Sequence, residues 1–183
     1  HFVYHGSSLE IGEAAQHLDS FDVASDATYG DEPLPLEATA TSGLPVSFSS
    51  SNPEVLEVNG TRLNVRGAGT ATITAHQPGD ANFFGAADLN ATVTVATADL
   101  QVIAHPASKA YLEENPELSF HYEGFVNGES ASVLDQEPTV STTATKASVA
   151  GTYDVNATGG SDDDYHFVYH GSSLEIGEAA QHL

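Results

Sequence analysis

The sequence predicts an all-β protein built as two small tandem β-sandwiches in an extended arrangement. Three observations predict it: short runs in which apolar and polar residues alternate, turn residues spaced roughly every 8 to 12 positions, and an unchanged internal repeat. Residues His1–Leu18 recur without a single difference at His166–Leu183. Identity over that length does not arise by chance, so the chain reads as slightly more than one period of a tandem array and as an internal piece of something longer.

The strands follow from alternation, because a period of two places every second side chain on one buried face. Thr70-Ala-Thr-Ile-Thr74, Thr92-Val-Thr-Val95, Leu63-Asn-Val65, Leu118-Ser-Phe-His-Tyr122 and Leu174-Glu-Ile176 are the clearest runs. Between them stand breakers such as Tyr29-Gly-Asp-Glu-Pro33, Ser42-Gly-Leu-Pro45, Asn59-Gly60, Pro78-Gly-Asp80, Asn127-Gly128 and Gly159-Gly-Ser-Asp162. Ile11–Leu18 and its copy have the composition of a helical turn and are expected to act as a linker. Thr97-Ala-Asp-Leu100 interrupts the series after a long strand and sets a boundary near Ala98. The expected organisation is 1–13 as a closing strand and linker copied from the preceding repeat, 14–98 and 99–177 as two β-domains, and 178–183 as the start of the next repeat. Phe167–Ile176 is expected to close the second domain. Its copy, Phe2–Ile11, would then be a lead-in strand or an orphan that pairs elsewhere.

Composition removes several classes of function. The chain of 183 residues has no Cys, Met or Trp, which excludes disulfide scaffolds, thiol nucleophiles and Cys-ligated metals. Four basic residues stand against 26 acidic ones, giving a net charge of −22. A surface of that sign repels nucleic acid and anionic lipid, so neither is an expected partner. No run approaches a membrane span and no signal sequence is visible. With 40% hydrophobic residues the acids read as the surface of a folded protein rather than a solvated tail. Self-repulsion of that surface fades in seawater-like salt, where the Debye length falls to roughly 4 Å, so a saline or calcium-rich habitat is inferred.

Two stretches of the chain resemble a known family. Ala27-Thr-Tyr-Gly-Asp31, Ser42-Gly-Leu-Pro-Val-Ser-Phe-Ser-Ser-Ser-Asn-Pro-Glu-Val55 and Gly67-Ala-Gly-Thr-Ala-Thr-Ile-Thr74 resemble bacterial immunoglobulin-like repeats of the MBG and related groups. Ala107-Ser-Lys-Ala-Tyr111, Asn115-Pro-Glu-Leu118, Gly124-Phe-Val-Asn-Gly128, Val140-Ser-Thr-Thr-Ala144 and Gly151-Thr-Tyr153 are similar to the MBG repeat itself over nearly the whole second domain. The Tyr-Gly-Asp turn usual in such repeats reads Tyr111-Leu-Glu113 there, and a leucine in the glycine position predicts a different turn. The resemblance implies immunoglobulin-like sandwiches and a spacer or adhesive role in very large secreted or surface-attached bacterial proteins. It carries no catalytic residues to transfer.

Candidate chemistry is sparse. His1 and His5, like His166 and His170, sit four apart, which on a strand is roughly 13 Å and too far for one ion without a sharp bend. Glu113 and Glu114 are adjacent acids of the kind usually solvated on loops, and no Ser lies in a nucleophile-elbow pattern. No enzyme is expected. The threonine-rich strands raise ice binding, yet nothing repeats at a short solenoid period. The Asn-X-Thr triplets at Asn59, Asn90 and Asn156 match a glycosylation pattern that means little in a bacterial chain.

Calcium is the one candidate ligand, because hard cations take several oxygens from flexible acidic loops. Asp162, Asp163 and Asp164 form one candidate group; Asp26, Asp31 and Glu32 form another. Neither matches a calcium-loop motif, and both also read as solvated acids, so no cofactor is required. The expected function is a non-enzymatic stalk segment of an extracellular bacterial adhesin, a monomer projecting an adhesive tip for attachment or biofilm formation. Its expected partners are neighbouring repeats, with a surface or glycan reached through other domains. The alternative is a ligand-binding module that recognises a glycan or host protein through loops at one sandwich end, with Phe83, Phe84 and Tyr165 as candidate contacts.

Overall fold

The computed structural model describes residues 9–178. The described chain divides into two compact units, the first holding residues 9–27, 32–66 and 70–94 and the second residues 28–31, 67–69 and 95–178. Among the described residues the regular elements are sixteen strands and a single 3-10 turn at Ala131–Val133.

In the first unit a four-stranded sheet runs in the order β2 (Asp26–Thr28), β9 (Leu89–Ala96), β8 (Gly69–His76), β5 (Ser47–Ser50). Alternation sets its buried face, with Ala71, Ile73 and Ala75 of β8 and Val93 and Val95 of β9 all buried. A second, two-stranded sheet pairs β1 (Leu18–Asp22) antiparallel with β4 (Glu37–Ala40), with a register shift between Leu18 and Ser20. Leu18, Ala40 and Ala75 form a core between these sheets, with Phe21, Val46, Phe48 and Leu89 packed against it. The small alanines let the faces approach, and the Phe21 and Phe48 rings, 5.8 Å apart, fill the remaining space. A third sheet joins β3 (Leu34–Pro35) to the hairpin of β6 (Leu56–Asn59) and β7 (Arg62–Val65), with Leu56 and Leu63 fully buried.

The second unit is a sandwich of three strands against four. One sheet has the order β12 (Phe120–Glu123), β10 (Ala98–Ala104), β15 (Tyr165–His170). The other has the order β11 (Ala107–Ala110), β16 (Ser172–Gly177), β14 (Gly151–Thr158), β13 (Thr139–Thr142). Ala98, Leu100, Val102 and Ala104 alternate inward along β10. Ala104 meets Ala144, Val155, Leu174 and Ile176 in the core, with Tyr111, Leu118, Val140 and Tyr153 around it. Each fully buried leucine or valine contributes about 1.5–3 kcal/mol through removal of apolar surface from water.

The closing segment differs from the single strand expected at Phe167–Ile176. It is two strands, β15 pairing parallel with β10 in one sheet and β16 pairing parallel with β11 in the other. The change of sheet falls at Gly171, where a Cβ would lie 2.8 Å from Asn156 Oδ1 and 3.2 Å from the Val155 carbonyl oxygen. A side chain there would have to displace the Asn156 amide and crowd the Val155 carbonyl, so the position favours glycine. Residues 2–8 of the copied strand lie outside the described residues, while Leu9 and Ile11 are exposed and belong to no strand. Ile11–Leu18 forms no helical turn: Ala14 makes an isolated parallel bridge to Phe83, and β1 begins at Leu18.

One expectation is corrected. Tyr111-Leu112-Glu113 makes the same turn as Tyr29-Gly30-Asp31. In each, the acid's N–H donates back three residues, from Asp31 to the Thr28 carbonyl at 3.0 Å and from Glu113 to the Ala110 carbonyl at 3.2 Å. In each, the acid's carboxylate accepts from the first residue's N–H, Thr28 to Asp31 at 2.8 Å and Ala110 to Glu113 at 2.9 Å. Gly30 has φ 94 and Leu112 has φ 67, so the leucine takes the left-handed conformation instead of redirecting the chain. The carboxylate and the flanking strands over-determine the turn, and the leucine carries the strain.

Left-handed backbone costs a non-glycine residue roughly 1–2 kcal/mol, part of which is offset by the extra unfolded-state freedom of glycine. Leu112→Gly is therefore expected to stabilise this chain by about 0.5–1 kcal/mol in urea unfolding. A loss of stability there would mean that the leucine side chain contributes more than its backbone strain costs.

Candidate functional site

The densest polar and aromatic cluster of the second unit is organised around Glu129. Asn127, at φ 55, and Gly128 turn the chain after β12, and the Glu129 N–H closes that turn on the Val126 carbonyl at 3.0 Å. The Glu129 carboxylate accepts the Tyr29 hydroxyl on Oε1 at 2.7 Å and the Tyr165 hydroxyl on Oε2 at 2.6 Å. Tyr165 in turn accepts the Val126 N–H at 3.0 Å, so its hydroxyl is satisfied as both donor and acceptor. The rings of Tyr29 and Tyr165 meet edge to face at 5.5 Å, and Phe125 adds a second edge contact to Tyr165 at 5.3 Å. Tyr122 and Phe120 continue the series, with the Tyr122 hydroxyl buried and without a partner among the described residues.

Burial dominates the electrostatics. Tyr29 is 7% exposed and Tyr165 3%. Desolvation, then the hydrogen bond to Glu129, pushes the Tyr29 phenol up to about 12, and the same two causes raise Tyr165. Desolvation also pushes Tyr122 up to about 12. Tyr29 and Tyr165 are held as neutral hydrogen-bond donors. The cluster ties the Asn127-Gly128 turn, the start of β15 and the Tyr29 turn together.

The six acids proposed as calcium ligands fall into local roles. Asp162 Oδ1 accepts from the N–H groups of Asp164 at 2.9 Å and Tyr165 at 3.1 Å, forming the turn that starts β15 and aims Tyr165. Asp164 Oδ1 accepts the Ala68 N–H at 2.6 Å. Burial, and then the charges of Asp162, Glu129 and Asp163, hold the Asp164 carboxyl above its usual range against that bond. Asp163 and Glu32 are exposed. Asp31 closes its own turn, and Asp26 accepts the Ser25 hydroxyl at 2.6 Å. Among the described residues no group of three or more His, Asp or Glu side chains is placed to hold a metal ion. Asp31, Asp162 and Asp164 each have one oxygen engaged by backbone N–H groups.

The other candidates disperse in the same way. His166 pairs with Asp99 at 3.0 Å and His170 bonds to Gln101, so two histidines four apart on β15 take separate partners on β10. His1 and His5 lie outside the described residues. Glu113 closes its turn and Glu114 pairs with Lys146 at 2.6 Å. Of the candidate ligand-contact aromatics, Tyr165 is buried in the cluster, Phe83 is half-buried and Phe84 is 56% exposed. Sequence reasoning missed three groups. Glu129 had only its place after an Asn-Gly turn to mark it. The stacked pair His105 and His121, with ring nitrogens 2.8 Å apart, joins residues far apart in the chain. Buried Lys109 donates to the Glu113 and Thr145 carbonyls at 2.9 and 2.8 Å; a rare lysine at an inward strand position was the available signal.

Residues 100–175 match the family model described as the MBG domain (YGX type), so the second unit carries the MBG-type repeat that its sequence resembles. No curated protein matches the sequence. Among solved structures, Drosophila N-cadherin EC1-3 is 11% identical, with 92% of this chain and 69% of that chain covered and a TM-score of 0.30. The S-layer protein rSbsC is 14% identical, with 92% and 29% covered and a TM-score of 0.31. The fibronectin(III)-like modules of Clostridium thermocellum CbhA are 14% identical, with 92% and 98% covered and a TM-score of 0.31.

Tyr165→Phe leaves the Val126 N–H and one Glu129 oxygen without their partner and is expected to cost about 1–3 kcal/mol in urea unfolding, more than Tyr29→Phe. The raised phenols also set an alkaline limit. Unfolded tyrosine loses its proton near pH 10, whereas Tyr29 and Tyr122 keep theirs to about 12. The folded state binds more protons in that window, so stability is complete below about pH 10 and is lost as pH rises through it. Melting curves from pH 9 to 12 should show that loss, with a shallower slope for Tyr29→Phe; an unchanged slope would remove Tyr29 from the explanation.

Proposed function

We propose that this chain is a non-enzymatic repeat module of a large bacterial cell-surface or secreted protein. Its work is to extend a stalk that projects an adhesive tip for attachment or biofilm formation. The recurrence of His1–Leu18 at His166–Leu183, the second copy overlapping the end of the MBG-type match at residues 100–175, is the observation that carries this reading. A tandem array converts copy number into reach, and each sandwich supplies a compact element that resists collapse. The acidic surface adds like-charge repulsion between copies of almost identical sequence, which lowers the risk that one copy pairs its strands with another's.

The polar groups support a mechanical role. Glu129, Asp162, Asp31 and Glu113 each fasten a turn through hydrogen bonds to the protein itself. The module is a monomer whose partners are its neighbouring repeats, and contact with a surface or glycan belongs to other domains. No cofactor is required.

Two measurements test this. Chains of one, two and four copies, joined through the shared segment, should increase in maximum dimension by a constant increment per copy in small-angle scattering, and antibodies to the second unit should label intact cells that carry the gene. Dimensions that saturate, or labelling only after permeabilisation, would overturn the reading. Separately, calcium or a chelator should leave the melting temperature unchanged, because Asp31, Asp162 and Asp164 are already engaged by backbone N–H groups; a clear rise with calcium would return those acids to a ligand role.

A further inference from the structure

Two short segments that belong to the second unit, Thr28–Asp31 and Gly67–Gly69, are firmly engaged there. Tyr29 seats its ring on Tyr165 and its hydroxyl on Glu129, and the Ala68 N–H donates to Asp164. Gly30 lies so close to Val126 that a Cβ would stand 2.6 Å from the valine Cβ. The second unit then presents the same two segments again further along the chain.

The repetition is detailed. Ala110–Glu113 reproduces the hydrogen bonds of Thr28–Asp31, and each turn is fastened to the end of the neighbouring strand. The Tyr29 N–H donates to the Ala96 carbonyl at 2.8 Å and the Tyr111 N–H to the Gly177 carbonyl at 2.9 Å. Ala150-Gly151 leads into β14 as Ala68-Gly69 leads into β8. The sheet order β11-β16-β14-β13 matches β2-β9-β8-β5 strand for strand. Register places Ala110 opposite Gly177 and Gly151 opposite Ile176, so both segments flank the end of β16 at one pole of the sheet. At that pole the apolar side chains are open to solvent: Leu112 stands in the place of Gly30 and is 53% exposed, and Val149 stands in the place of Gly67 and is 66% exposed.

A matching receiver exists in the first unit. Asp80–Phe83 reproduces Asp162–Tyr165. Asp80 Oδ1 accepts the N–H groups of Asn82 and Phe83 at 2.8 and 3.0 Å, as Asp162 Oδ1 accepts those of Asp164 and Tyr165 at 2.9 and 3.1 Å. Ala14 bridges parallel to Phe83 as Ala98 does to Tyr165. The Ala14 N–H donates to the Asn82 carbonyl at 2.7 Å, as the Ala98 N–H donates to the Asp164 carbonyl at 2.9 Å. Thus Phe83 occupies the Tyr165 place and Asn82 the Asp164 place, with Phe84 exposed beside them. Spacing agrees as well: Ala179, the sequence copy of Ala14, follows Gly177 at the interval by which Ala98 follows Ala96.

We propose that the pole formed by Tyr111, Leu112 and Val149 is a docking surface for the following copy of this chain, around that copy's Asp80–Phe84 turn. Tyr111 packs on Phe83, and the Ala150 N–H donates to the Asn82 side-chain oxygen. Leu112 and Val149 lose water against the receiving loops, so the joint between copies is packed and not a free hinge. This rests on the tandem-repeat reading and adds to it a specific contact.

The test compares the full chain with a chain of two copies joined through the shared segment. Amide exchange at Leu112 and Ala150 in the leading copy should slow by at least about tenfold relative to the single chain. Leu112→Asp with Val149→Asp in the leading copy should abolish that protection while leaving the single chain's melting temperature nearly unchanged. Asn82→Ala in the trailing copy, an exposed position, should reduce protection at Ala150 alone. Equal exchange in the one-copy and two-copy chains, with dimensions that still grow per copy, overturns docking and leaves the repeat reading intact. Dimensions that fail to grow overturn both.

Discussion

The second unit depends on one stretch of chain serving two sheets. Between Tyr165 and Gly177 the backbone pairs with β10 on one side of the sandwich, passes Gly171, and pairs with β11 and β14 on the other. The preceding crossover from β10 to β11 does the same at His105-Pro106. Two parallel pairings, one in each sheet, therefore join the unit's early strands to its last ones. The crossover also bears on the core, because the register of β16 against β11 and β14 is what turns Leu174 and Ile176 inward. With Asn156 and the Val155 carbonyl pressed against it, that glycine restricts the chain as much as it frees it.

The polar network follows from the same crossover. β15 must begin at Tyr165 opposite Ala98, and the turn made by Asp162 delivers it there with its side chain inward. Once the ring is buried, its hydroxyl needs partners, and Glu129 and the Val126 N–H provide them. Glu129 then has a second oxygen to satisfy, which Tyr29 does. A local requirement for a strand start thus propagates into a cluster that orders the loop after β12 and the Tyr-Gly-Asp turn together. An acid in such a place stabilises by accepting hydrogen bonds, so density of carboxylates in the sequence says little about affinity for cations.

How much of this was legible varied with the range of the interaction. Alternation in Thr70–Thr74 and Thr92–Val95 marked strands β8 and β9, because period-two burial is a local property that packing on a sheet enforces. The division of Phe167–Ile176 was not legible, since a His-Gly-Ser-Ser stretch between two apolar runs does not reveal which sheet each half joins. Leu112 was misread because glycine preference measures intrinsic backbone cost, while the Glu113 carboxylate and the Gly177 carbonyl hold that turn in place from outside. Asp162 and Asp31 carried two readings, calcium ligand and solvated acid, and neither anticipated the turn caps they form, because sequence does not show which backbone N–H lies within reach. Glu129 and Tyr29 lie far apart in the chain, and no pattern in either neighbourhood announces the other.

The charge balance imposes a last constraint on the design. With few lysines and arginines, ion pairs such as Arg66 with Glu57 and Lys146 with Glu114 are scarce, and each holds its glutamate below the usual carboxylate range. Histidines stand beside acids elsewhere, at His17 with Asp19, His76 with Asp88 and His166 with Asp99. Such exposed pairs do little for stability, so the fold leans on its thin apolar core and on hydrogen-bonded turns. Buried Lys109 is the exception: it donates to two carbonyls at the Tyr111 turn, holding the loops of Glu113 and Thr145 to one side chain. A protein this acidic places a buried cation where the carbonyls of converging loops would otherwise face one another unpaired, and there the positive charge orders the pole of the sheet in a way no surface pair could.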